Sequence, residues 1–419
     1  MTERAPVEVL PDSVSPFKVL IVNQHGDNRG DEAALDGMLR GLTEQFGFAQ
    51  FTVVHQFANA SAGPSLRSDV VWIPHKISAI EAIRLVLYVA LRLLRIRPKF
   101  LLGRIGKQTI AAYEQADMVI SAPGGPYFGD IYINHEFVHW LYVWMAKLHK
   151  KPCGLYATSA GPFDKKWANP FRRMTYRCFD ALYVREEISA QHIKNLFRSR
   201  PIDVHVSVDA ALQVSVSPSE RDERRLIVVS AINWSYKGAA DVERRRRQYN
   251  DAVVAAIVVL INSTPSRIEF VPQLHGTRHR DTPYLLQLAD LLRAQISDTS
   301  VDIEVWDEDR DMMSQRALFA SADFVISGRY HPAVFALSAG VPQVCIPYEH
   351  KATGVLALAG LSDVVLPIED VTEEKLVSLA TYVRDNAGDI RERSQRASVT
   401  LRALSSETSQ GMAQLVRSR

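Results

Sequence analysis

The chain has 419 residues, of which 47% are hydrophobic and 23% charged, a balance typical of globular proteins and not of disordered or fibrous ones. Its 49 Lys and Arg residues against 47 Asp and Glu residues give a net charge of +2, so no global excess indicates nucleic acid as a partner. The three cysteines lie far apart without CxxC spacing, which argues against a disulfide framework or a structural zinc site and is typical of a reducing compartment. We therefore expect a cytoplasmic protein with two domains of about 200 residues each.

The N-terminal region predicts a disordered lead followed by a strand, a loop and a helix. Residues 1–16 contain acidic side chains and no apolar core, so they do not resemble a secretory signal. An apolar run at 17–22 leads into the polar segment 23–31, after which apolar residues recur at helical spacing.

Short apolar segments then alternate with helical patterns along the whole chain. In the first half, strands are predicted at 51–54, 70–73, 118–121, 153–157 and 181–184. A polar, proline-containing stretch at 214–225 predicts a linker. Beyond it, strands are predicted at 226–230, 267–271, 302–305, 324–327, 343–346 and 363–366, and helices at 249–261, 283–294, 311–320 and 331–339.

This alternation predicts an α/β protein made of two Rossmann-like, doubly wound domains that face each other across a cleft. We place the N-terminal domain at 17–215, the C-terminal domain with the donor site at 226–385, and a C-terminal helical tail at 386–419. Ligands in such sheets lie beyond the carboxyl ends of the strands, so polar residues that follow a strand are the candidate site residues.

The densest functional signal follows the predicted strand at 324–327. Arg329 and His331 lie in the turn at its end, and a helix begins near Pro332. A helix N-terminus favours an anion, and the Arg329 guanidinium can bind a carboxylate or phosphate through two parallel hydrogen bonds. His331 can exchange a proton near neutral pH. The alternative is an arginine that caps a neighbouring carboxylate and a histidine buried in a domain interface.

Several segments in chain order resemble the polysaccharide pyruvyl transferase family. Residues 327–342 are similar to the family's Ser-x-Arg-Leu-His element and the Ala/Leu-rich helix and Gly-Val-Pro after it, with Tyr330 where Leu is usual. Tyr348 and Lys351 match its Tyr-x-x-Lys element. The remaining matches are residues 28–33 with Asn-x-Gly-Asp-Glu-Ala, Gly124-Gly125 with a glycine-rich loop, Gly161-Pro162 with a Gly-Pro pair, Asp209-Ala210 with a strand end, and residues 185–189 with Arg-Asp-x-x-Ser.

The resemblance implies a GT-B fold and transfer of a pyruvyl group from phosphoenolpyruvate to a sugar of a polysaccharide or its lipid-linked precursor, without a cofactor. In this reaction a ketal forms across two sugar hydroxyls. His331 is then the candidate proton donor, and Arg329, Arg185 and Lys351 are the candidates for binding the donor. Two alternatives stay open: a GT-B glycosyltransferase that uses a nucleotide sugar, and a non-catalytic protein that binds a carbohydrate or an anion.

The remaining site candidates line the predicted cleft. They are Asn28, Asp31, Glu32, Gly124, Gly125, Gln273 and His275. Asp31 or Glu32 is the candidate base for a sugar hydroxyl. A structural interpretation is equally open, in which Gly30 permits a tight turn and Asp31 caps the first helix. Gln273 and His275 qualify because they follow a predicted strand, although a local carbonyl could satisfy the histidine.

Residues 135–139 match HExxH, which on a helix places two imidazoles on one face, as in zinc hydrolases. No extended ligand spacing follows, and Trp140, Tyr142 and Trp144 indicate a core helix or a sugar-facing surface. The sequence therefore favours an enzyme without a metal site.

Two basic segments remain. Residues 84–107 combine Lys and Arg with Leu, Val, Ile, Tyr and Phe, which predicts either peripheral contact with the inner face of the membrane or a solvated helix face. The run at 244–247 consists of four arginines, but neighbouring acidic residues dilute it and no nucleic-acid fold signature accompanies it. We do not expect nucleic acid as a partner.

Overall fold

The structure is a computed structural model that describes residues 15–26, 28–55, 69–74, 78–96, 98–130, 133–214, 217–218, 223–236, 241–274, 280–306 and 310–417. The predicted disordered lead and the predicted linker therefore lie largely outside the described residues. Within those residues the chain forms two parallel sheets with helices between their strands, as the sequence predicted.

The first sheet has eight strands among the described residues, all paired in parallel. The strands are β1 (Phe17–Gln24), β2 (Ala49–His55), β3 (Val70–Pro74), β4 (Met118–Ser121), β5 (Gly124–Phe128), β6 (Cys153–Ala160), β7 (Ala181–Val184) and β8 (His205–Val206). Their order is β3-β2-β1-β4-β6-β7-β8, and β5 also pairs with β6. The helices are α1 (Arg29–Phe46), α2 (Ala79–Leu93), α3 (Arg104–Gln115), α4 (Ile133–Leu148), α5 (Asn169–Tyr176) and α6 (Glu187–Leu196).

The second sheet has five parallel strands among the described residues. The strands are β9 (Arg225–Ser230), β10 (Ser266–Phe270), β11 (Val301–Val305), β12 (Phe324–Ser327) and β13 (Gln343–Cys345), in the order β11-β10-β9-β12-β13. The helices are α7 (Val242–Ile261), α8 (Thr282–Gln295), α9 (Met312–Ser321), α10 (Tyr330–Ala339), α11 (His350–Leu358), α12 (Glu373–Asp385) and α13 (Ala387–Arg417).

Burial explains why the central strands are apolar along their whole length. All eight residues of β6 and all four residues of β4 and β12 are buried. A parallel sheet carries helices on both faces, so both sets of alternating side chains must be apolar or small. In the first sheet the strand order reverses between β1 and β4, and in the second sheet it reverses between β9 and β12. The loop after β1 and the loop after β12 begin at these two points. Doubly wound folds bind ligands at such points.

One predicted strand is wrong. Residues 363–366 do not extend the second sheet; Ser362–Val364 form a short 3-10 helix, and Val365 makes a single bridge to β13. The segment also differs from a strand in its side-chain bonds, because Asp363 accepts hydrogen bonds from the Arg393 guanidinium at 3.0 and 2.8 Å. A run of three apolar residues after such an anchored carboxylate can follow a sheet edge without joining it.

The long helix α13 connects the two sheets. It has 31 residues, and small side chains along it approach both halves of the chain. The Ser398 hydroxyl donates to the Ser338 carbonyl at 3.1 Å in the second half, and the Ser405 hydroxyl donates to the Asp209 carbonyl at 3.0 Å near the first sheet. The helix therefore helps to fix the two sheets relative to each other.

None of the helices in the described part of the chain is both long enough and apolar enough to cross a membrane.

Candidate active site

The turn after β1 is the first wall of the site. Asn28 caps α1, because its side-chain oxygen accepts a hydrogen bond from the Gly30 N–H at 2.8 Å. The expectation that Asp31 caps this helix was wrong, since Asp31 lies inside the first turn and its carboxylate is not used by the cap. The predicted acceptor or cleft residue Asn28 therefore has a structural role, and Asp31 is left available.

Glycine is required at position 30 because the His331 side chain approaches α1 closely there, and not because the chain makes a tight turn. It lies within α1, and a Cβ added there would come within 1.8 Å of Nδ1 of His331. The imidazole of His331, on α10, therefore packs directly against the backbone of α1. This contact brings the two loops that the sequence singled out, one from each sheet, to the same place.

The two halves also meet through backbone hydrogen bonds beside this contact. The Arg29 N–H donates to the Gln273 carbonyl at 3.2 Å, and Asn28 forms a bridge with Leu274. Gln273, predicted as a cleft residue, is therefore at the junction. Its neighbour His275, also predicted, lies outside the described residues.

Arg329 is anchored to a carboxylate, as the structural alternative foresaw, but one of its donors is left over. Its Nη2 donates to Oδ1 of Asp281 at 2.5 Å. The other oxygen of Asp281 accepts from the N–H groups of Gln273 and Leu274, each at 3.0 Å. The buried Nε of Arg329 has no hydrogen-bond partner in the described part of the protein. Sequence reasoning missed Asp281, whose only signal was its place just before a helix.

His331 is buried, and its Nε2 makes no hydrogen bond to any described residue. The nearby Asp209 carboxylate lies 3.8 Å from this nitrogen, beyond hydrogen-bonding distance. Burial lowers the pKa of His331 to about 4, opposed by Asp209 and reinforced by the positive charges of Arg185 and Lys351. In the unliganded protein the imidazole is therefore neutral at physiological pH.

Arg185, predicted to bind the donor, makes most of its bonds inside the protein. Its Nε donates to the Ser159 hydroxyl at 2.8 Å, and its Nη1 donates to Asp209 at 2.7 Å. Its guanidinium stacks on the ring of Tyr330, 4.8 Å from the centroid. Asp209 in turn accepts from the Ala211 N–H at 2.9 Å. Arg185 thus ties the first sheet to the turn that carries His331 and keeps a positive charge in the cleft.

Asp31 lies beside the two glycines, Gly124 and Gly125, that begin β5. A Cβ on Gly124 would come within 2.9 Å of Oδ1 of Asp31, so only glycine leaves room for this carboxylate. Gly124 and Gly125 have φ values of +109° and +92°, which glycine adopts readily. Burial raises the pKa of Asp31 to about 7, although the cations Arg185 and Lys351 act in the opposite direction.

Glu32 differs from its neighbour Asp31. Both of its carboxylate oxygens accept hydrogen bonds from Nη1 of Arg29, at 3.0 and 2.9 Å. Of the two candidate bases, Glu32 is therefore held in an ion pair. Lys351 lies 3.0 Å from Glu349, and its charge acts on both Asp31 and His331.

The HExxH segment forms part of α4, and its glutamate is held inside the fold. Glu136 is fully buried and receives two hydrogen bonds from Arg172, at 2.9 and 2.7 Å. His139 bonds through Nδ1 to the Asn23 side chain at 2.9 Å, and its Nε2 lies 3.3 Å from His25. The Glu136 carboxylate is therefore a structural partner of Arg172 and not a free base.

The junction thus combines two kinds of group. At the junction, Gln273 Oε1, Arg329 Nε and His331 Nε2 are buried and make no hydrogen bond with described residues. Beside them lie Asp31 and His331. Burial raises the pKa of Asp31 to about 7 and lowers the pKa of His331 to about 4. Paired titratable groups of this kind, next to two cations, suit proton transfer to and from an anionic substrate.

Comparison with known proteins agrees with this architecture. The Neisseria meningitidis UDP-GlcNAc 2-epimerase bound to UDP-GlcNAc superimposes with a TM-score of 0.57 at 12% identity, covering 96% of this chain and 100% of the epimerase. The S. aureus MnaA-UDP complex gives 0.56 at 13% identity, covering 90% of this chain and 91% of MnaA. These similarities confirm the predicted two-sheet GT-B fold.

Sequence relatives identify the family. The amylovoran biosynthesis protein AmsJ of Erwinia amylovora is 24% identical over 411 residues, covering 91% of this chain and 95% of AmsJ. The family model described as polysaccharide pyruvyl transferase matches residues 28–350, a span that runs from the cap of α1 to the start of α11 and contains Asp31, Arg185, Arg329 and His331. The chain belongs to the polysaccharide pyruvyl transferase family.

Proposed function

We propose that the protein transfers a pyruvyl group from phosphoenolpyruvate to two hydroxyls of a polysaccharide sugar or its lipid-linked precursor, forming a ketal. The observation that carries this proposal is the junction of Asp31 and His331 between Arg185 and Lys351. The donor is small and bears a carboxylate and a phosphate, and it needs a proton source, a proton acceptor and cations within a few ångströms.

The donor is proposed to bind beside Arg329 and His331. The unused Nε of Arg329 and the N-terminus of α10 are available to a carboxylate or phosphate, while Asp281 fixes the orientation of the guanidinium. Lys351 and Arg185 contribute positive charge. Arg185 acts mainly by position, because its hydrogen bonds go to Ser159 and Asp209.

The reaction needs three proton transfers. A proton is added to the methylene carbon of the enol, and the first sugar hydroxyl bonds to the neighbouring carbon and loses its proton. The carbon–oxygen bond to phosphate then breaks, and the second hydroxyl bonds to the same carbon, its proton leaving with the phosphate. The products are the ketal and inorganic phosphate, so the reaction balances without an oxidant or a cofactor.

Asp31 and His331 are proposed to carry out these transfers as a pair that holds one proton at neutral pH. Between about pH 4 and pH 7 this proton resides mainly on Asp31, since the pKa of Asp31 is about 7 and that of His331 about 4. The negative charge of a bound donor raises the pKa of a neighbouring imidazole, so His331 stays our candidate for the direct donor to carbon. Asp31 is favoured over Glu32 as the base because Arg29 occupies the Glu32 carboxylate.

The test is incubation of the purified protein with phosphoenolpyruvate and a panel of acceptors that carry galactose, mannose or glucuronate. We expect phosphate release that requires both the donor and one of the acceptors. Release of a nucleoside diphosphate from a sugar nucleotide would instead support glycosyl transfer. Binding of an acceptor with neither product would support a non-catalytic protein.

A further inference from the structure

Helix α2 carries a stripe of large apolar side chains on its outer face. Ile80, Ile83, Leu87 and Leu94 recur at helical spacing and are 63%, 60%, 47% and 70% exposed, and Phe100 in the following turn is 78% exposed. Single exposed apolar residues are ordinary on a protein surface, but a row at this spacing forms a continuous patch.

The same helix is already packed on its other face. Leu85, Tyr88 and Val89 are buried in the core beside the first sheet, together with Trp140 and Leu141 of α4. The outer stripe is therefore not the face by which α2 packs against the rest of the protein. A helix with apolar residues on both faces buries one of them within its own fold and leaves the other for a partner.

Basic side chains accompany the stripe. Residues 78–107 contain seven Lys and Arg residues and a single acidic residue, Glu81, whereas the whole chain has a net charge of only +2. Of these cations, Arg84, Arg95, Lys99, Arg104 and Lys107 are exposed. The remainder of the chain is consequently slightly acidic, so the positive charge is concentrated where the apolar stripe lies.

A second exposed apolar group lies on the other side of α4. Trp167, Phe171 and Met174, in and just before α5, are 65%, 45% and 46% exposed, and Phe171 stacks on Trp140 at 5.6 Å between ring centroids. Both α2 and α5 pack against α4, so the two groups flank one helix. Tryptophan and basic residues beside aliphatic side chains are the composition of surfaces that lie in the headgroup region of a bilayer.

We propose that the α2 stripe docks on the surface of a bilayer that contains anionic lipids, with its apolar side chains inserted between headgroups and the basic residues contacting lipid phosphates. A second copy of the chain fits this surface less well. In a two-fold interface the same patch would face itself, and the local excess of positive charge would meet its own copy. With 15 residues, α2 lies on a membrane and does not cross it. The proposal does not depend on the reaction that the cleft catalyses.

The test is flotation of the full-length protein with vesicles of phosphatidylcholine alone and of phosphatidylcholine mixed with phosphatidylglycerol. We expect binding to the mixed vesicles that weakens as salt rises, and little binding to neutral vesicles. Ile83→Glu/Leu87→Glu should lose at least about tenfold in binding, because two charges replace inserted apolar groups. Val399→Glu is the matched control, since Val399 is 68% exposed on α13, and it should bind normally.

A second pair of variants tests how much the basic residues contribute to vesicle binding. Arg104→Gln/Lys107→Gln should weaken binding to the mixed vesicles by about tenfold or more. Arg244→Gln/Arg247→Gln removes the same charge from the exposed arginine run on α7 and should leave binding unchanged. The proposal is overturned if the wild type does not bind the mixed vesicles, or if both members of either pair bind equally. It is also overturned if the wild type is a dimer that Ile83→Glu/Leu87→Glu converts to monomers.

Discussion

The helix α4 and the junction at His331 both contain an arginine that pairs with a carboxylate and a buried histidine, yet the donors of the two arginines are used differently. At α4, Arg172 donates to both oxygens of Glu136 and to Asp130 at 2.7 Å. At the junction, Arg329 keeps a buried Nε and His331 a buried Nε2 without a hydrogen-bond partner among the described residues. A buried polar atom without a bond costs stability, and a ligand that bonds to Arg329 and His331 would offset this cost.

A lowered pKa alone does not separate the two kinds of site. Burial lowers the pKa to about 4 at His55, His149 and His331 alike. Only His331 among these three lies at the junction of the two sheets, between Asp209, Arg185 and Lys351. The difference therefore lies in unmet hydrogen bonds and neighbouring charges and not in burial. Four substitutions test this contrast.

The largest effect is expected at α4 and should fall on stability. Glu136→Ala leaves the buried charge of Arg172 with Asp130 as its ion-pair partner and the neutral side chain of Asn169, which costs about 3 to 5 kcal/mol of the free energy of unfolding. Urea denaturation measures this change. Glu136→Gln, which keeps the shape of the side chain, should cost less and retain normal turnover. Loss of turnover in a folded Glu136→Gln variant would assign α4 a catalytic role.

His331→Ala should lower turnover and leave stability nearly unchanged. We expect turnover to fall by at least about 100-fold, because proton transfer by a positioned group contributes this much or more, with little change in stability. His149→Ala is the matched control, since it removes a histidine with the same pKa direction from a site remote from the junction, and it should leave turnover normal. Equal turnover in the two variants would contradict the role of His331.

Arg329→Lys should chiefly affect donor binding. Lysine can still pair with Asp281, but its point charge lacks the second donor direction that Nε provides, so the KM for phosphoenolpyruvate should rise about tenfold with a smaller change in kcat. Steady-state kinetics separate the two constants. The matched control Arg393→Lys alters another Arg–Asp pair far from the cleft and should change neither. An unchanged donor KM in Arg329→Lys would remove this assignment.

Asp31→Asn should alter the shape of the pH profile. If the Asp31–His331 pair must hold one proton, kcat/KM rises with pH through about 4, as the second proton leaves, and falls above about 7, as the last one leaves. Asparagine cannot titrate, so residual activity of the variant should lack the decline near pH 7. A decline at the same pH in Asp31→Asn would show that another group causes it.

The sequence predicted the local features well because they depend on neighbours in the chain. The buried strand β12, followed at once by Arg329, His331 and a helix, is readable from the apolar run and the residues after it, although α10 begins at Tyr330 and so includes His331. The alternation of strands and helices likewise predicted both sheets. The strand expected at 363–366 was wrong because the three apolar residues after Asp363 do not reveal that this carboxylate is anchored by Arg393.

Contacts between distant segments could not be predicted in the same way. The packing of His331 against Gly30 joins two loops from different sheets, and the bond from Arg329 to Asp281 depends on how α8 and α10 are placed. In the sequence alone, a glycine at position 30 is as consistent with a tight turn as with the close packing of another side chain. The pKa shift of Asp31 also required the structure, since it arises from burial beside Gly124.

The most direct test of the contrast is calorimetric titration of phosphoenolpyruvate into the wild type, Arg329→Lys and Glu136→Gln, with inorganic phosphate and pyruvate as reference ligands. We predict that the wild type and Glu136→Gln bind phosphoenolpyruvate with the same Kd, more tightly than either reference ligand, and that Arg329→Lys binds it about tenfold more weakly. A wild type that binds no phosphoenolpyruvate, or an affinity that falls in Glu136→Gln and not in Arg329→Lys, would contradict the account.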